Sequence, residues 1–151
     1  MPVGAPDFYK ATILYSQDED GTLRPVLVDK EGRIIFRSVT QYEATCQGVN
    51  LNVDVGNVNV NTDLVPEGVR WIVSSIACYN MNSMNSSVRI WVHDGLGLKL
   101  LKSQNSPAPL ESTDWQGSLV MGPGWHIRFS FDDCSQDDTL YWAVIYTVVE
   151  D

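Results

Sequence analysis

The stretch GWHIRFSF, residues 124–131, decides the fold class because its apolar and polar side chains alternate strictly. The apolar set consists of Trp125, Ile127, Phe129 and Phe131. A period of two places such a set on one face of a β-strand and the intervening polar residues on the other. The stretch therefore predicts a strand with one face in a core and the other face in water.

Three further stretches read as strands. SVRIWVH at 87–93 alternates in the same way, with Val88, Ile90 and Val92 on one face. TLYWAVIYTVV at 139–149 and VRWIVSSIAC at 69–78 are apolar on both faces. That second pattern is typical of a central strand that is covered on both sides.

The segments between these strands carry turn and loop residues. Proline-glycine turns precede the strands at 69 and 125, and Asp94-Gly95 separates 87–93 from a further strand at about 97–103. No segment shows apolar residues at helical spacing over three turns. The sequence predicts an all-β fold: an antiparallel β-sandwich, jelly-roll-like domain.

The stretch VNLNVDVGNVNV at 49–60 changes phase along its length. Val49, Leu51, Val53 and Val55 share one parity, whereas Val58 and Val60 have the other. A slip at Gly56-Asn57 is what a β-bulge or a tight turn produces. We expect the opposite face, made of asparagine and aspartate, to be wet or to meet a polar partner.

The first 45 residues differ in character from the rest. Two acidic-glycine turns, at 18–23 and 29–34, are each followed by a short apolar strand, LRPVLV and RIIFRSV. This pattern predicts a small β-meander in an extended N-terminal arm, and Pro25 removes a ladder donor from its second strand. We predict an arm over 1–45, used for attachment or intersubunit contacts, and a sandwich over 46–151. The interface candidates in the arm are Arg24, Pro25, Ile34, Ile35 and Phe36.

Charge and composition limit the possible partners. The formal charge of −9 repels phosphate backbones, which disfavours DNA or RNA binding. No stretch approaches 18 consecutive apolar residues, so a membrane-spanning helix is not expected, and the start MPVGAPDFYK has no secretory pattern. Cys46, Cys78 and Cys134 suit small buried residues better than a disulfide or zinc framework. We expect the protein in the cytosol, or assembled there into something larger.

Catalytic signatures are absent from the sequence. His93 and His126 lie on the polar faces of predicted strands, where a solvated histidine is the default. No nucleophile motif, Walker loop or dinucleotide fingerprint is present. The acidic cluster 132–138, within FDDCSQDD (131–138), reads as a solvated loop, with a weak calcium site as the alternative. We therefore predict no enzyme activity, no catalytic residue and no cofactor.

The five tryptophans suggest both core and interface positions. We expect Trp125 and Trp142 to fill the core. Trp91 lies on the polar face of its strand together with Arg89. Since aromatic residues and arginine dominate interface energetics, Trp91 and Arg89 are candidates for an intersubunit patch. Carbohydrate stacking is the rival use of an exposed tryptophan.

The C-terminal two-thirds of the chain resembles the small β-sandwich modules of tailed-bacteriophage virion proteins. The resemblance lies in VPEGVRWIVSSIACYNMNS (65–83), SVRIWVHDG (87–95) and SLVMGPGWHIRFSFDDCSQDDTLYWAVIYTVVE (118–150). LRPVLVDKEGRIIFR also resembles short strand units near the starts of phage head and tail proteins.

This resemblance implies a head decoration (cement) protein that binds a major capsid protein or other virion proteins, typically as a trimer. It implies a location in the virion, after assembly in the host cytoplasm. The alternatives are a tail or fibre adaptor of the same fold and a carbohydrate-binding module on a virion.

Overall fold

A computed structural model describes residues 41–150 and the backbone of four short strands nearer the N-terminus. The chain divides into two units, Met1–Ser38 and Val39–Asp151. Strand β5, Gln41–Val53, belongs to the second unit and passes through the boundary predicted after residue 45. The sandwich therefore begins before that boundary.

The described strands of the first unit form two antiparallel pairs. Strand β1 (Tyr15–Gln17) pairs with β2 (Leu23–Pro25), and β3 (Leu27–Val28) pairs with β4 (Ile34–Ile35). The segment LRPVLV thus contributes one strand to each pair. Arg24 and Pro25 lie in β2, and Ile34 and Ile35 form β4, whereas Phe36 lies outside the described residues.

The second unit is an antiparallel sandwich of two four-stranded sheets, and residues 41–150 contain no helix. One sheet, the first sheet, has the order β10-β7-β12-β5, and the other, the second sheet, has the order β6-β11-β8-β9. The remaining strands are β6 (Gly56–Asn61), β7 (Val69–Asn80), β8 (Ser87–His93), β9 (Leu98–Asn105), β10 (Thr113–Met121), β11 (His126–Cys134) and β12 (Asp138–Glu150). The predicted all-β class is confirmed.

The pairing of the strands is that of a jelly roll. β8 pairs with β9, β7 with β10, β6 with β11 and β5 with β12, all antiparallel. These four pairs are nested, like one long hairpin wound around a barrel. Two further ladders, β12 with β7 and β11 with β8, close the winding into two sheets.

The core lies between the two sheets and uses the predicted apolar faces. Ile127, Phe129 and Phe131 are fully buried, as are Val88, Ile90 and Val92 within a few per cent. Trp125 and Trp142 pack against this core while remaining partly exposed. The apolar faces predicted for β8 and β11 are therefore confirmed, whereas Ser130 on the opposite face of β11 is buried and not in water as predicted.

The prediction that β12 is covered on both faces is wrong for the middle of the strand. Leu140, Val144 and Val148 point into the core and are buried. On the opposite face Ile145 is 46% exposed. β12 is central because β7 and β5 flank it, but no described element covers the middle of its outer face. The apolar pattern on both faces therefore correctly indicated a central strand, but it did not indicate a second layer that covers the strand.

The face of β5 that points toward the core is not the valine face, although the sequence pattern suggested that the valines point inward. Val49 and Leu51 are 48% and 66% exposed, whereas Ala44, Cys46 and Gly48 lie on the side toward the core. Gly48 lies opposite Trp142, whose indole occupies the space that a side chain at 48 would need. Large aromatic residues on β12 therefore require small residues on β5.

The phase slip at Gly56-Asn57 marks the passage from one sheet to the other. β5 ends at Val53 in the first sheet and β6 begins at Gly56 in the second. Gly56 has a φ of 117°, a conformation that favours glycine. Val58 and Val60 then point into the core, as their changed parity requires.

Candidate interaction surfaces

The outer face of the second sheet carries both sandwich residues that the sequence marked as interface candidates. Arg89 and Trp91 are two residues apart on β8, and the guanidinium carbon of Arg89 lies 5.6 Å from the centroid of the Trp91 ring. Arg89 also forms an ion pair with Asp132 of β11 at 2.5 Å. The structure thus places the guanidinium between a carboxylate and an aromatic face, a geometry that arginine favours.

Hydrogen bonds tie this face together across three strands. The Trp91 indole N–H donates to Ser130 Oγ at 3.1 Å, and Ser130 Oγ donates to Asn59 Oδ1 at 2.7 Å. In the same sheet Arg128 Nε donates to Asn61 Oδ1 at 3.0 Å. Trp91 is therefore held in one orientation with its polar atom satisfied. The asparagine face of β6 meets polar partners within the chain, on β11.

His93 and His126 form a stacked pair at the end of this face. They are directly opposite on β8 and β11, and their ring centroids are 4.8 Å apart with an interplanar angle of 11°. His93 Nδ1 accepts a hydrogen bond from the backbone N–H of Gly95 at 3.1 Å. Both ring nitrogens of His126 are buried without a hydrogen-bond partner among the described residues. Burial, the adjacent His93 and the charge of Arg128 lower the pKa of His126 below its usual value.

The acidic cluster 132–138 is spread over separate environments. Asp132 pairs with Arg89, while Asp133 and Asp137 are exposed. Asp138 is buried and accepts hydrogen bonds from Asn80 Nδ2 at 2.8 Å and from Ser83 Oγ. Among residues 41–150 no three His, Cys, Asp or Glu side chains converge as a metal site. The cluster is a set of structural contacts and exposed turn residues in this part of the chain.

The buried members of this cluster join two loops at one end of the sandwich. Besides its contact with Asp138, Asn80 Nδ2 donates to Asn85 Oδ1 at 3.0 Å, and Asn85 Nδ2 donates to the Asp132 carbonyl at 3.0 Å. Burial would raise the pKa of Asp138, but hydrogen bonds from Ser83, Asn80 and the Ser135 backbone outweigh it and the pKa is lowered. The stretch NMNSMNSS, residues 80–87, is therefore anchored by a buried amide–carboxylate network.

The outer face of the first sheet is more apolar. Exposed apolar residues lie on three of its strands, with Val49 on β5, Ile145 on β12 and Val120 on β10, each 46–53% exposed. Beside them Tyr79 and Tyr141 stack with centroids 5.1 Å apart.

A groove of about 520 Å³ opens on this face, bounded on one side by the loop between β9 and β10. Its lining consists of Gln47, Gly48, Val49, Ala77, Tyr79, Leu110, Ser112, Tyr141, Trp142 and Ala143. This groove was not predicted from the sequence, although the apolar outer face of 139–149 pointed to it.

The thiols lie between or beside the sheets. Cys78 and Cys134 are buried, and burial raises the pKa of both. Cys46 is half-buried on β5, where burial and the nearby Asp63 raise its pKa to about 11. All three are free cysteines, as the sequence predicted, and burial keeps them protonated at neutral pH.

Comparison with known proteins gives only distant similarities. No family model matches the chain, and no curated protein matches it. In the part of the chain that the structure describes, no helix has the length and apolarity needed to cross a membrane.

Solved structures that resemble the chain include a protein of Bacillus endospore appendages, described as disulfide-linked pili. It is 7% identical over 76% of this chain and 91% of that one, with a TM-score of 0.42. A protein of the infectious bursal disease virus Gt strain is 9% identical over 91% of this chain and 37% of that one, with a TM-score of 0.35. The exo-β-1,3-galactanase of Phanerochaete chrysosporium is 16% identical over 87% and 36%, with a TM-score of 0.33. None of these similarities assigns this chain to a family.

Proposed function

We propose that this chain is a non-enzymatic structural protein of a virus particle. More specifically, it decorates or cements a bacteriophage capsid through contacts between subunits. The observation that carries the proposal is the outer face of the first sheet, where Val49, Val120 and Ile145 remain about half exposed. These apolar side chains lie on three strands of one sheet face, and a protein–protein contact on that face would remove them from water.

The energetics of this face favour burial against another chain. Each Å² of apolar surface removed from water contributes about 25 cal/mol. The stacked pair Tyr79–Tyr141 adds large side chains of the kind that anchor interfaces. The formal charge of −9 keeps the remaining surface soluble and suits a partner with positive charge. A protein that binds an assembled shell better than its free subunits stabilises the shell by linkage.

Binding to undecorated heads of the encoding phage tests this proposal. We expect the full chain to co-sediment with such heads and the Ile145→Glu variant to lose most of that binding, because a charge would be buried at the contact. Leu96→Glu is the matched control, since Leu96 is 96% exposed in the turn between β8 and β9. Equal binding by the Ile145→Glu variant and the wild type would contradict this use of the face.

The same fold could serve a tail or fibre adaptor, and imaging of labelled protein on whole particles distinguishes that location from the head. A second candidate function is carbohydrate binding by the groove, where Tyr79, Tyr141, Gln47 and Ser112 combine aromatic and hydrogen-bonding groups. A glycan array with the wild type and a Tyr141→Ala variant tests it. Hits that the variant loses support this function, and an array without hits removes it.

A further inference from the structure

The four edges of the sandwich differ in their protection against pairing with another strand. β6 is only six residues long, β9 carries Lys99 and Lys102, and the pairing of β10 with β7 is interrupted between Gln116 and Leu119. Short strands, lysines and bulges are the usual devices that protect a sheet edge. β5 is 13 residues long, has no proline or lysine, and contains a single charged residue, Glu43. It is the unprotected edge among the described strands.

The backbone groups at the open edge of β5 follow from the neighbouring ladder. The Thr139 carbonyl accepts a hydrogen bond from Met81, which follows β7, so odd-numbered residues of β12 face β7. Even-numbered residues of β12 then face β5, and Trp142 lies opposite Gly48. Odd-numbered residues of β5 therefore direct their N–H and C=O groups away from β12. Before the register irregularity that follows Asn50, these residues are Gln41, Glu43, Thr45, Gln47 and Val49.

We propose that β5 pairs in antiparallel orientation with β5 of a second copy of this chain, with Thr45 on the two-fold axis. This proposal rests on the assembly role proposed above and names its homo-oligomeric contact. Such a pairing joins the first sheets of two copies into one continuous sheet. Each of the five open-edge residues meets a partner, which gives about ten backbone hydrogen bonds in all. The contact is self-complementary, as a two-fold interface requires.

Side-chain shape selects this register. With Thr45 on the axis, Tyr42 lies opposite Gly48 of the second copy. Tyr42 is 48% exposed, and the space beside Gly48 is filled by the Trp142 indole, against which the Tyr42 ring of the second copy would pack. An aromatic residue across from a glycine is a stabilising cross-strand pair.

Charge is compatible with the same register. The two Glu43 side chains lie opposite Gln47 of the other copy and are separated from each other by about 14 Å along the strands. That separation exceeds the screening length of about 8 Å at physiological salt. The strand therefore offers a nearly neutral contact in a chain whose formal charge is −9.

Disulfide trapping of the full chain tests both the pairing and its register. Opposite residues in a hydrogen-bonded pair have Cα atoms about 5.5 Å apart, which suits a disulfide. We expect Thr45→Cys to form a covalent dimer under mild oxidation. Gln47→Cys is the matched control, because its two copies would be about 14 Å apart. The wild type reports any background from Cys46, whose raised pKa keeps it largely protonated.

The outcomes of trapping are decisive. Rapid cross-linking of Thr45→Cys alone supports the proposal. No cross-linking of Thr45→Cys, or equal cross-linking of Gln47→Cys, overturns it.

A proline at the axis tests the backbone contact without a new thiol. The N–H of Thr45 points to the open edge, so Thr45→Pro removes no hydrogen bond to β12. We expect sedimentation equilibrium to show dimers for the wild type and for Thr45→Val, and at least tenfold weaker association for Thr45→Pro with an unchanged circular dichroism spectrum. A wild type that stays monomeric at its highest soluble concentration overturns the proposal.

Binding to phage heads and self-association are measured in separate experiments, so the two proposals can fail independently. Heads that bind the monomeric Thr45→Pro variant as well as wild type leave the capsid role intact and restrict the β5 contact to free protein. Heads that bind neither protein contradict the capsid role, while the cross-linking result still decides the β5 pairing.

Discussion

A methyl group at position 48 tests the packing between β5 and β12. A Cβ added to Gly48 would lie 2.6 Å from Trp142 Nε1 and closer still to two carbons of the indole. Ordinary contacts between non-bonded heavy atoms are about 3.5–4.0 Å. In Gly48→Ala the indole must therefore move by about 1 Å.

The structure leaves little room for that movement. Trp142 stacks on Phe129 with centroids 5.4 Å apart, and Phe129 is fully buried. Overpacking of a filled core costs about 1–3 kcal/mol. The reduced entropy of the unfolded chain returns about 0.4–1 kcal/mol for a glycine-to-alanine change. We expect a net loss of about 1–2 kcal/mol in the free energy of unfolding.

Urea unfolding followed by tryptophan fluorescence measures this loss, with thermal unfolding as a second reading. Gly97→Ala is the matched control, because a Cβ at 97 would meet nothing within 4 Å and the residue has no positive φ. We expect the control to be as stable as wild type, within about 0.5 kcal/mol. The double variant Gly48→Ala/Trp142→Phe should recover part of the loss, since the smaller ring leaves space.

Unfolding of Gly48→Ala and Gly97→Ala at the same urea concentration would refute the close packing of Trp142 on Gly48. The same holds if the double variant shows no coupling between positions 48 and 142. Either result would mean that Trp142 does not lie across Gly48.

Three other predictions concern buried or paired polar groups. Because the pKa of His126 is lowered in the folded protein, protons bind the unfolded chain more readily, and stability present above about pH 6.5 is lost as the pH falls toward the folded pKa. We expect His126→Phe to flatten this pH dependence of stability in urea titrations at pH 7.5 and 5.5. Asp138→Ala leaves the buried donors of Asn80 and Ser83 without their carboxylate and should cost about 3 kcal/mol by chemical unfolding, with Asp54→Ala as the exposed control. The lowered pKa of Asp138 also places its own loss of stability below about pH 4. If the Arg89–Trp91 face contacts a neighbouring subunit, Trp91→Ala should weaken oligomers in sedimentation while the folded spectrum is retained, and unchanged association would remove Trp91 from the interface.

Much of the fold could be predicted because strand periodicity is a local property. Val88, Ile90 and Val92 alternate with polar neighbours, and so do Ile127 and Phe129, whatever the strands pair with. The same rule was wrong for Val49. It correctly placed Val49 and Leu51 on one face of β5, but that face points away from the core. Whether a valine on β5 points inward depends on Trp142, which is almost a hundred residues away in the chain.

The candidate surfaces depend still more on distant contacts. Arg89 and Trp91 were chosen for their residue types, and their partners Asp132 and Ser130 lie on a strand that comes about forty residues later. Asp138 read as one residue of a solvated acidic loop, yet it is buried because Asn80 and Ser83 approach it from another loop. No local sequence pattern indicates that two loops distant in the sequence lie side by side in the fold.

The sequence by itself therefore determined that the chain forms β-strands, where most of them lie and which residues share a face, because side chains in an extended chain alternate with a period of two. Only the tertiary structure decided the nested pairing of the strands, the exposed apolar face of the first sheet and the open edge of β5. Hydrogen bonds between strands join residues that are far apart in the sequence, and alternation is the same for every partner that a strand could have.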